Sequence, residues 1–317
     1  MDRTEIENLF RSISVWKRGH ERAPHKPLLL LYALGRYSRG CDRMIAFADV
    51  DRDLRELLIE FGPFRRAYHP EYPFWHLQQD GIWEIEAVRD ISVPPGKSPS
   101  RSVLLKYHAK GGFRAPIYEA VAMDPYLRAS LAYILLEGHF PATLHDDILS
   151  AVGLDVAFTL VKRRRRDPEF RHRVLTAYEY RCAVCDYDVR LGNTHVGLEA
   201  AHIMWHQAGG PDTEANGLAL CSLHHKLFDL GAFTLTERLV IVLSNQVYGN
   251  HRFDQYLLAF HGQSIRPPQD PGYVPEPMYI RWHRRQVFKG EERYIPQSAP
   301  AYGSSYAAEE DEKYHSE

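Results

Sequence analysis

Residues 178–229 read YEYRCAVCDYDVRLGNTHVGLEAAHIMWHQAGGPDTEANGLALCSLHHKLFD. Three of the chain's four cysteines fall in this stretch, as Cys182-x2-Cys185 and then Cys221. His224 follows Cys221 at the same three-residue step. Two ligand pairs, each on a short turn, are the pattern of a tetrahedral structural Zn²⁺ site, since the ion takes sulfur and imidazole donors from paired positions. A second polar set lies between and after these pairs, and a zinc finger would need none of it. His202 follows an apolar run, Asn216 stands in a Gly/Pro/Asp-rich loop, and His225 precedes Asp229 by four residues. Residues at i and i+4 share a helix face, so His225 and Asp229 can hold one metal ion together.

With these residues in place, the segment resembles the HNH, or ββα-metal, nuclease family. Its first histidine corresponds to His202 in EAAHI, its asparagine to Asn216 in ANGLALC, and its last histidine to His225 in CSLHHKLFD. The resemblance implies phosphodiester hydrolysis with His202, Asn216 and His225 as catalytic residues. A neutral imidazole near pH 7 readily takes a proton from water, which suits His202 as general base. His225 and Asp229 would hold a divalent ion as Lewis acid, and Asn216 would orient the base or pin the loop. Open positions filled by water and phosphate suit Mg²⁺ or Mn²⁺. The chain departs from the family at Ala201, where many members place a metal ligand. Only two protein ligands then remain, unless Glu199 or His206 bends in. His206 otherwise reads as a surface residue.

The whole chain has 317 residues, 44% apolar and 25% charged, with a net charge of −2. Such a composition supports two ordinary globular domains. No 18-residue apolar run is present and the N-terminus lacks a signal-peptide layout, so no membrane association and a cytoplasmic location are expected. Few cysteines fit a reducing compartment, with Cys41 a structural thiol.

Ahead of the nuclease segment, residues 4–18 carry Ile6, Leu9, Phe10, Ile13 and Trp16 at helical spacing, with Thr4 as the cap. A second, strongly apolar helix follows Pro24, and Pro27 suits its first turn. His25 and Lys26 therefore sit at a helix N-terminus, which favours an anion, although a solvated turn reads equally well. Residues 46–61 read as a third helix with Leu54, Leu57, Leu58 and Phe61 on one face. Residues 63–86 are aromatic and proline-rich, and read as loop and strand, with a hairpin turning at Asp80-Gly81. Arg65 and Arg66 beside Tyr68, Tyr72, Pro73 and Trp75 put charge and apolar surface together, a mixture suited to a nucleic-acid backbone. Lys97 and Arg101 stand in a polar loop, a turn is expected at Gly111-Gly112, and helices fill 115–154, the last capped near Thr143.

The patterns HKPLLLL, YPFW…GIWEI and GGF…EGHFPATLHDDILSAVGL together resemble the sulfur-binding domain of phosphorothioate-dependent restriction endonucleases. In that family the domain precedes an HNH nuclease. Sulfur in place of a non-bridging phosphate oxygen keeps the charge but is larger, softer and less hydrated. A selective site should offer it an apolar hollow flanked by cations, where oxygen would lose water without regaining hydrogen bonds. Tyr72, Pro73 and Trp75 are the expected hollow, His25, Lys26 and Arg66 the phosphate partners, and Arg101 a further contact.

The expected fold is thus α+β. A mainly helical sulfur-binding domain with a small β-hairpin (1–154) is followed by a basic linker and helix (155–176). A zinc-stabilised ββα-metal HNH domain with a C-terminal extension (177–295) and a disordered acidic tail (296–317) complete the chain. Within the linker, Lys162 to Arg166 are placed to touch phosphates, and Asp167-Pro168 starts a helix. Residues 231–245 alternate like a β-hairpin, and Trp282 and Phe288 anchor the extension. The expected activity is type IV restriction of double-stranded phosphorothioated DNA. A homodimer is expected, because one HNH site cuts one strand. Two other readings are an HNH endonuclease directed to a methylated base or plain sequence, and a non-catalytic zinc-containing DNA-binding protein.

Overall fold

The computed structural model describes residues 1–15, 19–94, 96–154 and 168–294. Its front half is built around a helix that is apolar on nearly all sides. In chain order come α1 (Arg3–Arg11), α2 (His25–Ser38), β1 (Ile45–Ala46), α3 (Phe47–Phe61), α4 (Glu71–His76), β2 (Trp83–Glu86), α5 (Arg101–Lys106), β3 (Lys110–Phe113), α6 (Ala115–Met123), α7 (Pro125–His139) and α8 (His145–Val152). Every residue of α2 from Pro27 to Gly35 is buried, as a helix without a polar face must be. It meets α3, α4, α6, α7 and α8. Its start after Pro24, with Pro27 in the first turn, follows the sequence expectation.

Three local expectations are corrected. The first helix ends at Arg11 instead of running to residue 18, and its cap is Asp2 instead of Thr4. The Asp2 carboxylate accepts from the Glu5 backbone N–H at 2.8 Å, and Glu5 returns a bond of the same length. Beyond Ser12 the chain is drawn off the helix axis, because the Ser14 N–H donates to Asp80. Trp16 lies outside the described residues. The expected hairpin is instead α4, a 3₁₀ turn over Leu77–Asp80, and one strand. Prolines 70 and 73 sit at the start of α4, where no backbone N–H is needed, so the proline-rich run opens a helix. Gly81, at φ 72°, then ends the turn in the left-handed region and leads into β2.

The partner of β2 is β3, in an antiparallel sheet ordered β1-β3-β2. Gly111 and Gly112 are therefore residues of the central strand, not a turn. A side chain at Gly111 would run into the Trp83 and Phe74 rings, and one at Gly112 into the Arg43 carbonyl. The cap position of α8 falls, as expected, beside Thr143: Leu144 holds it without a side-chain bond, and the Thr143 hydroxyl goes elsewhere.

The back half runs through α9 (Pro168–Ala177), β4 (Arg190–Leu191), β5 (Thr194–His195), β6 (Leu198–His202), β7 (Gly217–Cys221), α10 (Ser222–Asp229), β8 (Phe233–Leu235), β9 (Ile241–Leu243), α11 (Phe253–Tyr256) and α12 (Pro277–Gln286). Strands β6 and β7 pair antiparallel from Leu198↔Cys221 to His202↔Gly217, and α10 follows β7 directly. This is the ββα unit, backed by α9. The expected second hairpin is β8–β9, and α12 packs on β8 with Trp282 and Phe288 buried. The Lys162–Arg166 run and the acidic tail lie outside the described residues. No described helix is long and apolar enough to cross a membrane.

The two halves share polar contacts that neither could satisfy alone. Trp282 donates to the His20 carbonyl at 2.6 Å, and Lys289 to those of Ile59 and Gly62 at 2.9 and 2.6 Å. Gln207 donates to Phe140, and Lys226 pairs with Asp147. The central-strand glycines give the first test. Gly112→Ala should cost about 1–3 kcal/mol, because the added methyl forces the strand from Arg43. A lowered urea midpoint at unchanged slope is expected; an unaltered midpoint would contradict the close approach.

Candidate nuclease and DNA-recognition sites

Cys182, Cys185, Cys221 and His224 bring their ligand atoms within 4.8 Å of one another. Cys221 Sγ lies 3.2 Å from His224 Nδ1 and 4.0 Å from Cys185 Sγ, and Cys182 Sγ lies 3.6 Å from the same imidazole nitrogen. Zn–S distances of about 2.3 Å in a tetrahedron put neighbouring donors at about these separations. The other His224 nitrogen bonds the Tyr256 carbonyl at 2.9 Å, which fixes the ring. Burial pushes the His224 imidazole down, but Cys182 and Cys221 outweigh it and lift it to about 10. Hydrogen bonds among the sulfurs press Cys182 well below the thiol range and Cys185 above it. So dense a set of donors fits a bound cation.

His202 ends β6, stacked on Phe170 at 4.1 Å between ring centroids. Its Nε2 lies 2.7 Å from Asp212 Oδ1, and His206 Nδ1 lies 3.7 Å from the same oxygen. Asn216 is fully buried and staples the intervening loop. Its Oδ1 accepts from the Met204 N–H, and its Nδ2 donates to the Met204 and Pro211 carbonyls, all within 3.0 Å. Of the two roles foreseen for it, pinning the loop is the one this geometry performs.

His225 and Asp229 are both buried on one face of α10, with Nε2 and Oδ2 separated by 3.2 Å. His225 Nδ1 meets Glu199 Oε2 at 2.6 Å, so Glu199 backs the histidine from behind. Burial would push His225 down, yet Asp229 and then Glu199 raise it to about 9. Burial likewise works to raise Asp229, but His225 and Thr143 hold it below the usual carboxylate range. Trp205 Nε1 donates to Asp229 Oδ1 at 3.0 Å, and the Thr143 hydroxyl donates to Oδ2. His202, Asp212, His225 and Asp229 all line one cavity of about 740 Å³, whose opposite wall is front-half residues such as Ser130 and Pro141.

The expected DNA-contacting residues separate into two groups. Tyr72 is exposed on α4 and stacks on His69 at 4.8 Å, Pro73 next to it in the chain is buried, and Trp75 is half-buried. Arg66 is exposed nearby in the chain. Burial pushes His25 down to about 4, helped by Arg65 and His69, so it is neutral at pH 7. Lys26 and Arg101 are already matched with acids. Lys26 Nζ meets Asp80 at 2.5 Å with its side chain only 13% exposed, and Arg101 bonds Asp51 at 2.7 and 2.8 Å.

The chain's sequence matches two families. Residues 182–236 match the HNH endonuclease family, and residues 3–157 match the ScoMcrA-like DNA sulfur-binding domain. No curated protein matches the chain. Among solved structures, the sulfur-binding domain of ScoMcrA complexed with phosphorothioated DNA is 24% identical, covering 47% of this chain and 94% of that one, with a TM-score of 0.41. The corresponding domain of SprMcrA is 25% identical over 49% and 95%, with a TM-score of 0.42. The type IV phosphorothioation-dependent restriction endonuclease ScoMcrA is 19% identical over 51% of this chain and 33% of that one, at 0.41. Residues 182–236 are thus an HNH endonuclease domain, the nuclease unit of a DNA endonuclease. That domain follows residues 3–157, the segment that matches the ScoMcrA-like DNA sulfur-binding domain.

Two outcomes follow from these environments. Cys182→Ser should reduce bound zinc from about one per chain towards none and lower the unfolding temperature of the back half, because metal binding and folding are coupled. Wild-type zinc content and melting would contradict a structural ion. Folding lowers the His25 pKa from 6.5 to about 4, so protonation favours the unfolded chain. The stability loss from this group should therefore begin as pH falls through 6.5 and level off below about 4. An imidazole NMR titration with a midpoint near 6.5 in the folded protein would overturn it.

Proposed function

We propose that the protein is a type IV restriction endonuclease that binds double-stranded phosphorothioated DNA through its front half and hydrolyses a nearby phosphodiester at its HNH site. The observation that carries this is the shared cavity: His202 with Asp212, and His225 with Asp229, open onto the same space. Behind it stands the sulfur-binding domain preceding the nuclease in one chain.

In this reading His202 takes the proton from the attacking water. Asp212, 2.7 Å away, holds the ring in place and stabilises the imidazolium that forms. His225 Nε2 and Asp229 Oδ2 stand 3.2 Å apart, close to the spacing of neighbouring donors on an ion with bonds of about 2.1 Å, and they are the proposed ligands. A divalent ion there, Mg²⁺ or Mn²⁺, supplies Lewis-acid stabilisation of charge on the phosphate. Glu199 bonds the far nitrogen of His225 and so orients the ligand. Asn216 keeps the 203–216 loop, and with it Asp212, against the base. The Cys₃His knuckle is a structural Zn²⁺ site.

At the front, Tyr72 and Pro73, flanked by Trp75, form the hollow for sulfur, with Arg66 supplying charge and neutral His25 a hydrogen bond. Lys26 and Arg101 act indirectly, by tying α2 and α5 to Asp80 and Asp51. With one active site per chain, cutting both strands takes two chains, and the proposed place of action is the cytoplasm.

His202→Ala should lower cleavage by at least about a hundredfold while leaving duplex binding unchanged. Cleavage at the wild-type rate would remove His202 as the base. Tyr72→Ala should narrow the preference for a phosphorothioated over an ordinary duplex by about tenfold, which corresponds to about 1.4 kcal/mol. Equal weakening on both duplexes would place the hollow elsewhere.

A further inference from the structure

We infer that Thr143, a residue of the front half, is a positioning residue for the nuclease's divalent-ion site and acts through Asp229. The inference rests on reading His225 and Asp229 as the ligands. Thr143 lies in the 3₁₀ turn Ala142–Leu144 between α7 and α8, and this turn packs on α10. Its hydroxyl donates to Asp229 Oδ2, the same oxygen that faces His225 Nε2. The opposite oxygen is held by Trp205.

A carboxylate on a helix can turn about its last carbon–carbon bond. Donors on both oxygens stop that rotation and fix which lone pair points beside His225. A neutral hydroxyl does this without adding a positive charge that would compete with a cation. The turn is itself held from both sides. Lys226, on α10, bonds the Thr143 carbonyl and pairs with Asp147 on α8. Gln207, beyond Trp205, donates to the Phe140 carbonyl at 3.0 Å. The DNA-reading half thereby contributes an atom to the ligand environment of the cutting half.

The test uses the full-length, zinc-loaded chain and Mn²⁺ as probe, followed by calorimetry and electron paramagnetic resonance. Thr143→Val keeps the shape and removes the hydroxyl, and Thr143→Ser keeps the hydroxyl. Valine should weaken Mn²⁺ binding by about tenfold or more, and raise to the same degree the Mn²⁺ concentration giving half-maximal cleavage. Serine should restore both, and binding of a phosphorothioated duplex without added divalent ion should be equal in all three proteins. Should the valine variant not fold, Thr143→Ala is read in the same way. Wild-type Mn²⁺ affinity in the variant lacking the hydroxyl overturns the inference. Asp229→Ala separates the causes. If it loses Mn²⁺ while the Thr143 variant keeps it, only the positioning role falls. If it too binds Mn²⁺ normally, the ligand assignment falls and the inference with it.

Discussion

A carboxylate shut away from water must be satisfied on every side, and the Asp229 carboxylate is where this chain meets that demand. His225 faces it from its own helix, Trp205 from the loop after β6, and Thr143 from the front half. Behind Trp205 lies the Arg22 guanidinium, 3.8 Å from the indole centre. Burial depresses Arg22 to about 9, and the charge on Asp229 works against that depression. Isolated burial of either charge would cost several kcal/mol, so the surrounding segments cannot drift apart independently.

The rest of the back half keeps those groups in register. The Cys₃His knuckle takes two ligands from the β7–α10 junction and two from a turn some 40 residues upstream, tied again by the Ala183 N–H to Ala219. Residue 224 is thus turned toward the knuckle, and its neighbour His225 faces the cavity. On the other strand, β6 delivers Glu199 to the back of His225 and His202 to the cavity. A single pair of strands therefore sets His202 and His225 relative to one another. The fully satisfied Asn216 amide fixes the loop carrying Asp212.

What the sequence made legible follows the range of each interaction. The knuckle, the ββα order and the His225–Asp229 pair depend on steps of three or four residues, and a motif displays these directly. Asp212, ten residues from His202 across an irregular loop, has no periodicity to announce it, and Thr143, 86 residues from Asp229, has none either. The same limit acts at the front. Nothing beside Lys26 at its helix start, or Arg101 in its polar loop, marks Asp80 and Asp51, which reach them from distant segments. Gly111-Gly112 has the composition of a turn; close packing against Trp83, Phe74 and Arg43 makes it a strand instead. In residues 71–80 apolar alternation competed with proline's liking for the first helical turn, and proline won. His69 under Tyr72 was equally hidden, since nothing local marks a stacking partner.

Arg22 also bears on how such enzymes can diversify. Its side chain donates to the Phe61 carbonyl of the front half at 2.7 Å and to the Gln286 carbonyl of α12 at 2.9 Å while lying over Trp205. The guanidinium is thus part of the interior of both halves at once. Grafting this nuclease onto an unrelated reader would bare an indole face and strand a carboxylate without its hydroxyl donor. A reader that joined this nuclease at the same boundary would need a matching arginine and a matching turn to satisfy both groups.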